Sequence, residues 1–144
     1  MGSTPRHSVS VAGVVVRDDG RVLVVQRRDN GHWEPPGGVL ELAETFDEGV
    51  RREVAEETGV HVEVERLTGV YKNLVRGIVA LVFRCRPAAG EATVTDESRR
   101  VAWFTPAEVR QHMDPAYAIR VLDALEGGVA ARAHDGVRMI KSTR

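Results

Sequence analysis

A chain of 144 residues is long enough for one domain that buries about two-thirds of its unfolded surface without disulfides as staples. With 42% apolar and 28% charged residues, its composition excludes wholesale disorder. A formal charge of −1 argues against a nucleic-acid polymer held by bulk electrostatics, yet leaves room for a small anion held by local arginines.

Val9, Val11, Val14, Val15 and Val16 form a β-branched run that predicts a first strand, closed by the hairpin turn Asp18-Asp19-Gly20. Residues 21–28 return as its partner strand. Asp29-Asn30-Gly31 breaks that strand, and Pro35-Pro36-Gly37-Gly38 predicts a rigid loop with little regular structure. Thr45 and Glu48 have the spacing of a capping box, which predicts a helix from Thr45 to about Thr58, with Gly59 as its left-handed cap. Two strands are predicted around 60–71 and 75–86, then a loop at 87–90 and another strand at 99–104. Thr105 and Glu108 form a second capping box, with Pro106 at the first helical position. Asp114-Pro115 starts a third helix that carries Ile119, Leu122 and Leu125 on one side. After Gly127-Gly128 the pattern fades. The expected organisation is an N-terminal extension at 1–7, a domain at 8–126 and a partly ordered tail at 127–144. Strands, a helix, more strands and late helices make a mixed α/β domain.

Cys85 is the lone cysteine, so no internal disulfide can form and a reducing, cytoplasmic setting is expected. The N-terminus lacks the apolar core of a signal peptide, and no run approaches the roughly 18 apolar residues of a membrane span.

The chemistry concentrates in residues 38–60, GVLELAETFDEGVRREVAEETGV. At about 100° per residue, Glu53, Glu56 and Glu57 fall within roughly 100° on one helix face. Like charges at such spacing destabilise a helix. A hard divalent cation that bridges them offsets this, and Mg²⁺ and Mn²⁺ favour oxygen ligands. Gly49 sits near the same face and would leave room for a ligand, while Phe46, Val50 and Val54 form an adjoining stripe suited to packing on a sheet. Arg52 stands four residues before Glu56 and within reach of it. A glutamate cluster alone is ordinarily a solvated face, so the neighbouring fixed positions decide.

Those positions resemble the Nudix box throughout: Gly38, Glu44, Arg52, Glu53, Val54, Glu56, Glu57, Gly59 and Val60. The resemblance continues in Gln26-Arg27-Arg28, in Trp33 with Pro36-Gly37-Gly38, and in Trp103-Phe104, over roughly 8–126. It implies the Nudix fold, a mixed sheet between helices with the box as loop–helix–loop. It implies that Glu53, Glu56 and Glu57 bind Mg²⁺, with Mn²⁺ as a substitute, and that Gly37 or Gly38 offers a carbonyl. It further implies that Glu44 and Arg52 hold the box in shape, with Gly59 closing its helix. The implied reaction is attack of water on a phosphorus of a diphosphate. For the general base, Glu57 and Glu53 rank ahead of Glu97, which precedes a strand in Thr95-Asp96-Glu97-Ser98.

The implied partner is a small nucleotide or other diphosphate, handled by a monomer or homodimer. Subgroup marks for ADP-ribose or dinucleoside polyphosphates, a proline or tyrosine beyond the box, are missing at Arg76-Gly77-Ile78. The short chain resembles nucleoside triphosphate pyrophosphohydrolases of the MutT type. The alternatives are ADP-ribose, dinucleoside polyphosphates, nucleotide sugars or non-nucleotide diphosphates. A non-catalytic binding domain of the same fold is the alternative of another class, although its box glutamates would ordinarily be damaged. An isomerase of related fold would need a catalytic cysteine, and Cys85 lies in an apolar strand that suits a core residue.

Four further residues are substrate candidates. Arg27 and Arg28 close a strand, and alternation points only one of them at the site. Trp33 is placed either to stack on a base or to pack its own loop. Tyr71, with Lys72 and Asn73, either lines the substrate mouth or forms a plain turn. The histidines show no metal-ligand spacing.

Overall fold

The computed structural model describes residues 2–141; Met1 of the expected extension and 142–144 of the expected tail lie outside the described residues. Residues 2–7 are exposed and carry no regular structure. The β-branched run folds as β1 (Ser8–Val15), which pairs in parallel with β6 (Ile78–Ala89) from Ser8 opposite Ile78 to Val15 opposite Cys85. On its other edge β1 meets the short β4 (Gly37–Val39), antiparallel. β5 (His61–Asn73) pairs antiparallel with β6 through three bulged registers. The larger sheet is completed by β8 (Ala130–His134), parallel to β5, and β9 (Met139–Ile140), giving the order β4-β1-β6-β5-β8-β9. A smaller sheet of three strands holds β3 (Trp33–Glu34), β2 (Val22–Gln26) and β7 (Arg100–Phe104) in that order.

The mixed sheet builds two cores, because alternate side chains leave opposite faces. Val11 and Val15 of β1 pack with Val50 and Val54 of α1 (Phe46–Thr58). Ala12 and Val14 face the other way, with Val109 and Met113 around α2 (Pro106–His112) and Val121 and Ala124 of α3 (Pro115–Leu125). Gly13 sits on the α1 side. A Cβ there would stand 3.0 Å from Val54 and 3.2 Å from Val50, so the missing side chain brings α1 close to β1.

Several local expectations are corrected. The Asp18-Asp19-Gly20 turn does not close a hairpin ladder; β1 and β2 enter different sheets, joined by the single bridge Val16–Val22. Both edges of β1 are taken by β4 and β6, so β2 has no edge to pair with. The Pro-Gly loop is framed by two short strands, β3 and β4, and β6 runs on through Pro87 to Ala89 opposite His61. Ile119, Leu122 and Leu125 are only half-buried; the deepest residues of α3 are Ala116, Ala118, Arg120, Val121 and Ala124. The stretch beyond Gly128 does not trail off as a tail, since β8 joins the large sheet and buries His134. Phe46 is 49% exposed, with its ring stacked toward Phe83, so the buried part of the apolar stripe of α1 is Val50 and Val54. No described helix is long and apolar enough to cross a membrane.

Candidate active site

The site is aimed by α1. Thr45 accepts from the Glu48 N–H while the Glu48 carboxylate accepts from the Thr45 N–H, which fixes where the helix begins. Gly59, at φ 75°, ends it in the left-handed conformation, with its N–H on the Ala55 carbonyl. Burial of Val50 and Val54 against the sheet sets the rotation, and Glu53 and Glu57 then face the edge made by Gly37 and Gly38.

Contact at that edge is close. The Glu57 Oε1 accepts the Gly37 N–H at 2.6 Å. The Glu53 carboxylate lies where a side chain on Gly38 would stand, for a Cβ there would meet it at 2.6 Å. Gly49 behaves differently from the sequence expectation. Its open side is filled by Leu40, whose Cδ1 a Cβ would meet at 2.6 Å, so Gly49 serves packing and leaves no space for a ligand.

Arg52 ties the acidic residues together. Its Nε and Nη2 donate to the two oxygens of Glu44 at 2.5 and 2.8 Å, and Nη2 also donates to the Val39 carbonyl at 3.1 Å. Its Nη1 donates to Glu53 at 2.7 Å and to Glu56 at 3.3 Å. Glu44 also accepts the Glu41 N–H at 2.9 Å, and the arginine beside it holds its carboxyl down to about 2. Such planar, charge-assisted pairing orients as well as binds.

Glu97 arrives from the loop before β7. Thr95 donates its hydroxyl to the Glu56 carbonyl at 2.6 Å, and buried Ser98 donates to the Glu57 carbonyl at 2.9 Å. Two carbonyls at the C-terminal end of α1, which no helical N–H can reach, are thereby satisfied and the loop is fastened. One oxygen each from Glu53, Glu56 and Glu97 then lies within 4.8 Å of the others. This trio differs from the expected Glu53, Glu56 and Glu57, because Glu57 is turned toward Gly37 and the loop delivers Glu97 in its place.

Burial pushes the Glu57 carboxyl up to about 8 despite the Gly37 N–H, and Glu53, Glu34 and Glu97 add to the effect. Burial also raises Glu53, against the pull of Arg52. Carboxylates crowded this far out of water favour either a proton or a cation. The donors are all oxygen, which suits a hard divalent ion. Glu53, Glu56 and Glu97 are placed to hold one, with Glu57, Gly37 and Gly38 on the wall of the same cleft.

The cleft, about 330 Å³, is faced by both Arg27 and Arg28. Alternation fails to separate them because β2 ends at Gln26, and the turn from Arg27 to Gly31 swings both side chains the same way. Arg27 is held by Asp29 at 2.7 Å and Glu34 at 3.3 Å, and Arg28 donates to the Thr95 carbonyl at 3.3 Å.

Two substrate candidates lie elsewhere. Trp33 is outside the cleft wall and packs on Phe104, ring centroids 4.8 Å apart. Tyr71 is fully buried and donates to Asp123 at 2.7 Å, because β5 continues to Asn73 instead of turning at Tyr71. Cys85 is a core residue whose buried thiol is pushed up to about 12, away from the cleft. Sequence reasoning missed a second cavity of about 150 Å³ that shares Arg27, Gly37 and Gly38 with the cleft and is lined by Asn73, Arg120 and His134. Neither Arg120 nor His134 lies in a local motif; only the pairing of β8 with β5 places His134 near α3.

The NUDIX domain family matches this chain over residues 6–125. A MutT-like protein of Streptomyces ambofaciens is 63% identical over 139 residues, which is 96% of this chain and 90% of that protein. An ADP-ribose pyrophosphatase of Methanocaldococcus jannaschii is 33% identical over 67% of this chain and 61% of its own length. Among solved structures, a NUDIX hydrolase from Nitrosomonas europaea superimposes with a TM-score of 0.77 at 21% identity, covering 92% of this chain and 82% of that one, a likeness of fold. With a family match over most of its length and a relative this similar end to end, the chain belongs to the Nudix hydrolase family.

Proposed function

We propose that the protein hydrolyses the diphosphate linkage of a nucleoside diphosphate joined to a further group, with Mg²⁺ as cofactor and Mn²⁺ as a working substitute. The proposed substrate is a nucleoside triphosphate, cut to a monophosphate and pyrophosphate. The observation that carries this reading is the convergence of Glu53, Glu56 and Glu97 beside Glu57, across one cleft from Arg27 and Arg28. A diphosphate needs positive charge on its oxygens, and an attacking water needs a base. The cleft holds groups of both kinds.

When bound by Glu53, Glu56 and Glu97, a divalent cation supplies charge against the diphosphate oxygens and acidifies water. Glu57, anchored through one oxygen by Gly37, takes the proton of the attacking water with the other. A new phosphorus–oxygen bond forms as the bond to the bridging oxygen breaks, and the leaving group, pyrophosphate for attack at the α-phosphorus or the monophosphate for attack at the β-phosphorus, departs with the electron pair. Arg27 and Arg28 neutralise the charge that develops on that leaving group. Arg52 acts by positioning, since its N–H groups point at Glu44, Glu53 and Glu56. The relative at 63% identity is named MutT-like, which supports the triphosphate substrate.

The test is release of phosphate or monophosphate from a panel of nucleoside triphosphates (oxidised ones included), ADP-ribose, dinucleoside polyphosphates and nucleotide sugars, with Mg²⁺, Mn²⁺ or EDTA. Metal-dependent cleavage of the triphosphates is the expected result. Cleavage confined to another class replaces the substrate. No cleavage by folded, metal-loaded protein contradicts the reading.

A further inference from the structure

The second cavity is built of donors. Arg27, Arg76 and Arg120 line it with Asn73 and His134, and Glu34 is its one carboxylate. Arg27 is held by Asp29 and Glu34, and Glu34 also acts on Arg120 through space, so the three guanidinium groups outnumber the two carboxylates that face them. Asn73 uses its side-chain oxygen to accept the N–H groups of Val75 and Arg76, at 3.0 and 3.1 Å, and has only amide N–H left to offer.

Arg120 is the anomaly. It is 8% exposed, it makes no ion pair among the described residues, and its Nε has no hydrogen-bond partner. Its guanidinium lies over the rings of Tyr71 and Tyr117, 5.3 and 4.7 Å from their centroids, which steadies a cation without neutralising it. Nη2 stands 3.2 Å from the Nε2 of His134. That imidazole, 1% exposed, receives the Gly136 N–H on Nδ1 at 2.9 Å. Burial and the neighbouring guanidinium keep the ring neutral by lowering its pKa. A neutral imidazole has one acceptor nitrogen, so it can serve the Gly136 N–H or the Arg120 guanidinium but not both. One of the two N–H donors aimed at the ring is therefore left over, beside a buried guanidinium that no ion pair holds among the described residues. An oxyanion seated against the guanidinium and the imidazole satisfies the spare donor and the unpartnered Nε, and supplies the buried charge with a close counter-ion.

We propose that this cavity is an anion subsite, which takes a phosphoryl or carboxylate group that the substrate carries beyond its scissile diphosphate. The inference rests on reading the acidic cleft as the hydrolytic centre, and the Arg27, Gly37 and Gly38 walls common to both let one molecule span them. The terminal phosphate of a nucleoside triphosphate qualifies. So does the carboxylate of a sugar acid linked to a nucleoside diphosphate.

Binding of inorganic phosphate in EDTA, followed by calorimetry and thermal shift, separates this subsite from the metal-dependent chemistry. Wild type is expected to bind phosphate, and Arg120→Met to bind it roughly tenfold or more weakly. Arg120→Met replaces an unpaired buried charge with an apolar stem and is expected to fold. Should it not fold, Arg76→Gln on the exposed rim carries the test, again with weaker phosphate binding expected. Equal binding by wild type and a folded variant overturns the proposal. Paired substrates then distinguish the source of the anion. Arg120-dependent preference for UDP-glucuronate over UDP-glucose assigns a carboxylate, and the same preference for nucleoside triphosphates over diphosphates assigns a phosphoryl group. Metal-dependent hydrolysis without Arg120-dependent phosphate binding overturns the subsite and leaves the hydrolase standing. Phosphate binding without hydrolysis supports the subsite and overturns the hydrolase reading.

Discussion

Arg52 holds both oxygens of Glu44, at 2.5 and 2.8 Å, and through the same guanidinium reaches Glu53 and Glu56. One residue thus links the loop before α1 to two carboxylates of the acidic cluster. The arrangement makes the loop's attachment sensitive to acid. Glu44 is held down from 4.5 to about 2, so its contribution to stability is complete above pH 4.5 and lost as pH falls through about 2. The melting temperature of wild type is expected to drop across that window, and that of Glu44→Gln to start lower and drop less. Parallel melting curves for the two proteins between pH 6 and pH 2.5 check this, and identical slopes count against the linkage.

Glu57 carries the opposite sign. Its carboxyl is raised from 4.5 to about 8, so in metal-free protein its contribution is present below pH 4.5 and lost as pH rises through about 8. In EDTA, wild type is expected to lose stability toward pH 9 relative to Glu57→Gln. Mg²⁺ should stabilise wild type more at pH 9 than at pH 6. Thermal unfolding at the two pH values, with and without Mg²⁺, reads both effects.

Gly38→Ala tests the packing of carboxylate against backbone. The added methyl would stand 2.6 Å from the Glu53 carboxylate, which must move aside. Mn²⁺ affinity is expected to weaken about tenfold or more, as when a ligand's support is displaced. A Mn²⁺ titration followed by electron paramagnetic resonance measures it, and unchanged affinity contradicts the geometry.

Tyr71→Phe separates core from substrate mouth. Loss of the hydroxyl that donates to Asp123 is expected to cost about 1–2 kcal/mol of stability, with kcat and KM unchanged. A raised KM would return Tyr71 to the substrate site.

What was legible in the sequence was local. The caps of α1 are written in Thr45, Glu48 and Gly59, and the spacing of Arg52, Glu53, Glu56 and Glu57 places them where a box helix would. Glu97 was legible as a loop carboxylate, although its closeness to Glu53 and Glu56 depends on Thr95 and Ser98 binding the end of α1. What was not legible depends on distant pairing. β1 and β2 separate because β6, far along the chain, takes an edge of β1. Arg27 and Arg28 share a cleft because β2 ends at Gln26, two residues sooner than the expected strand over 21–28. Arg120 and His134 meet only through the parallel pairing of β8 with β5, and neither residue carries a motif of its own.

The central claim is that the glutamates of α1 perform hydrolysis in this cleft, and Glu57→Gln tests it most directly. The change removes the charge and the base at nearly constant shape, and the Gly37 N–H retains an oxygen to bond. With the preferred substrate and saturating Mg²⁺, turnover is expected to fall by about 100-fold or more while the circular dichroism spectrum matches wild type. A folded Glu57→Gln protein that turns over at the wild-type rate would contradict the account.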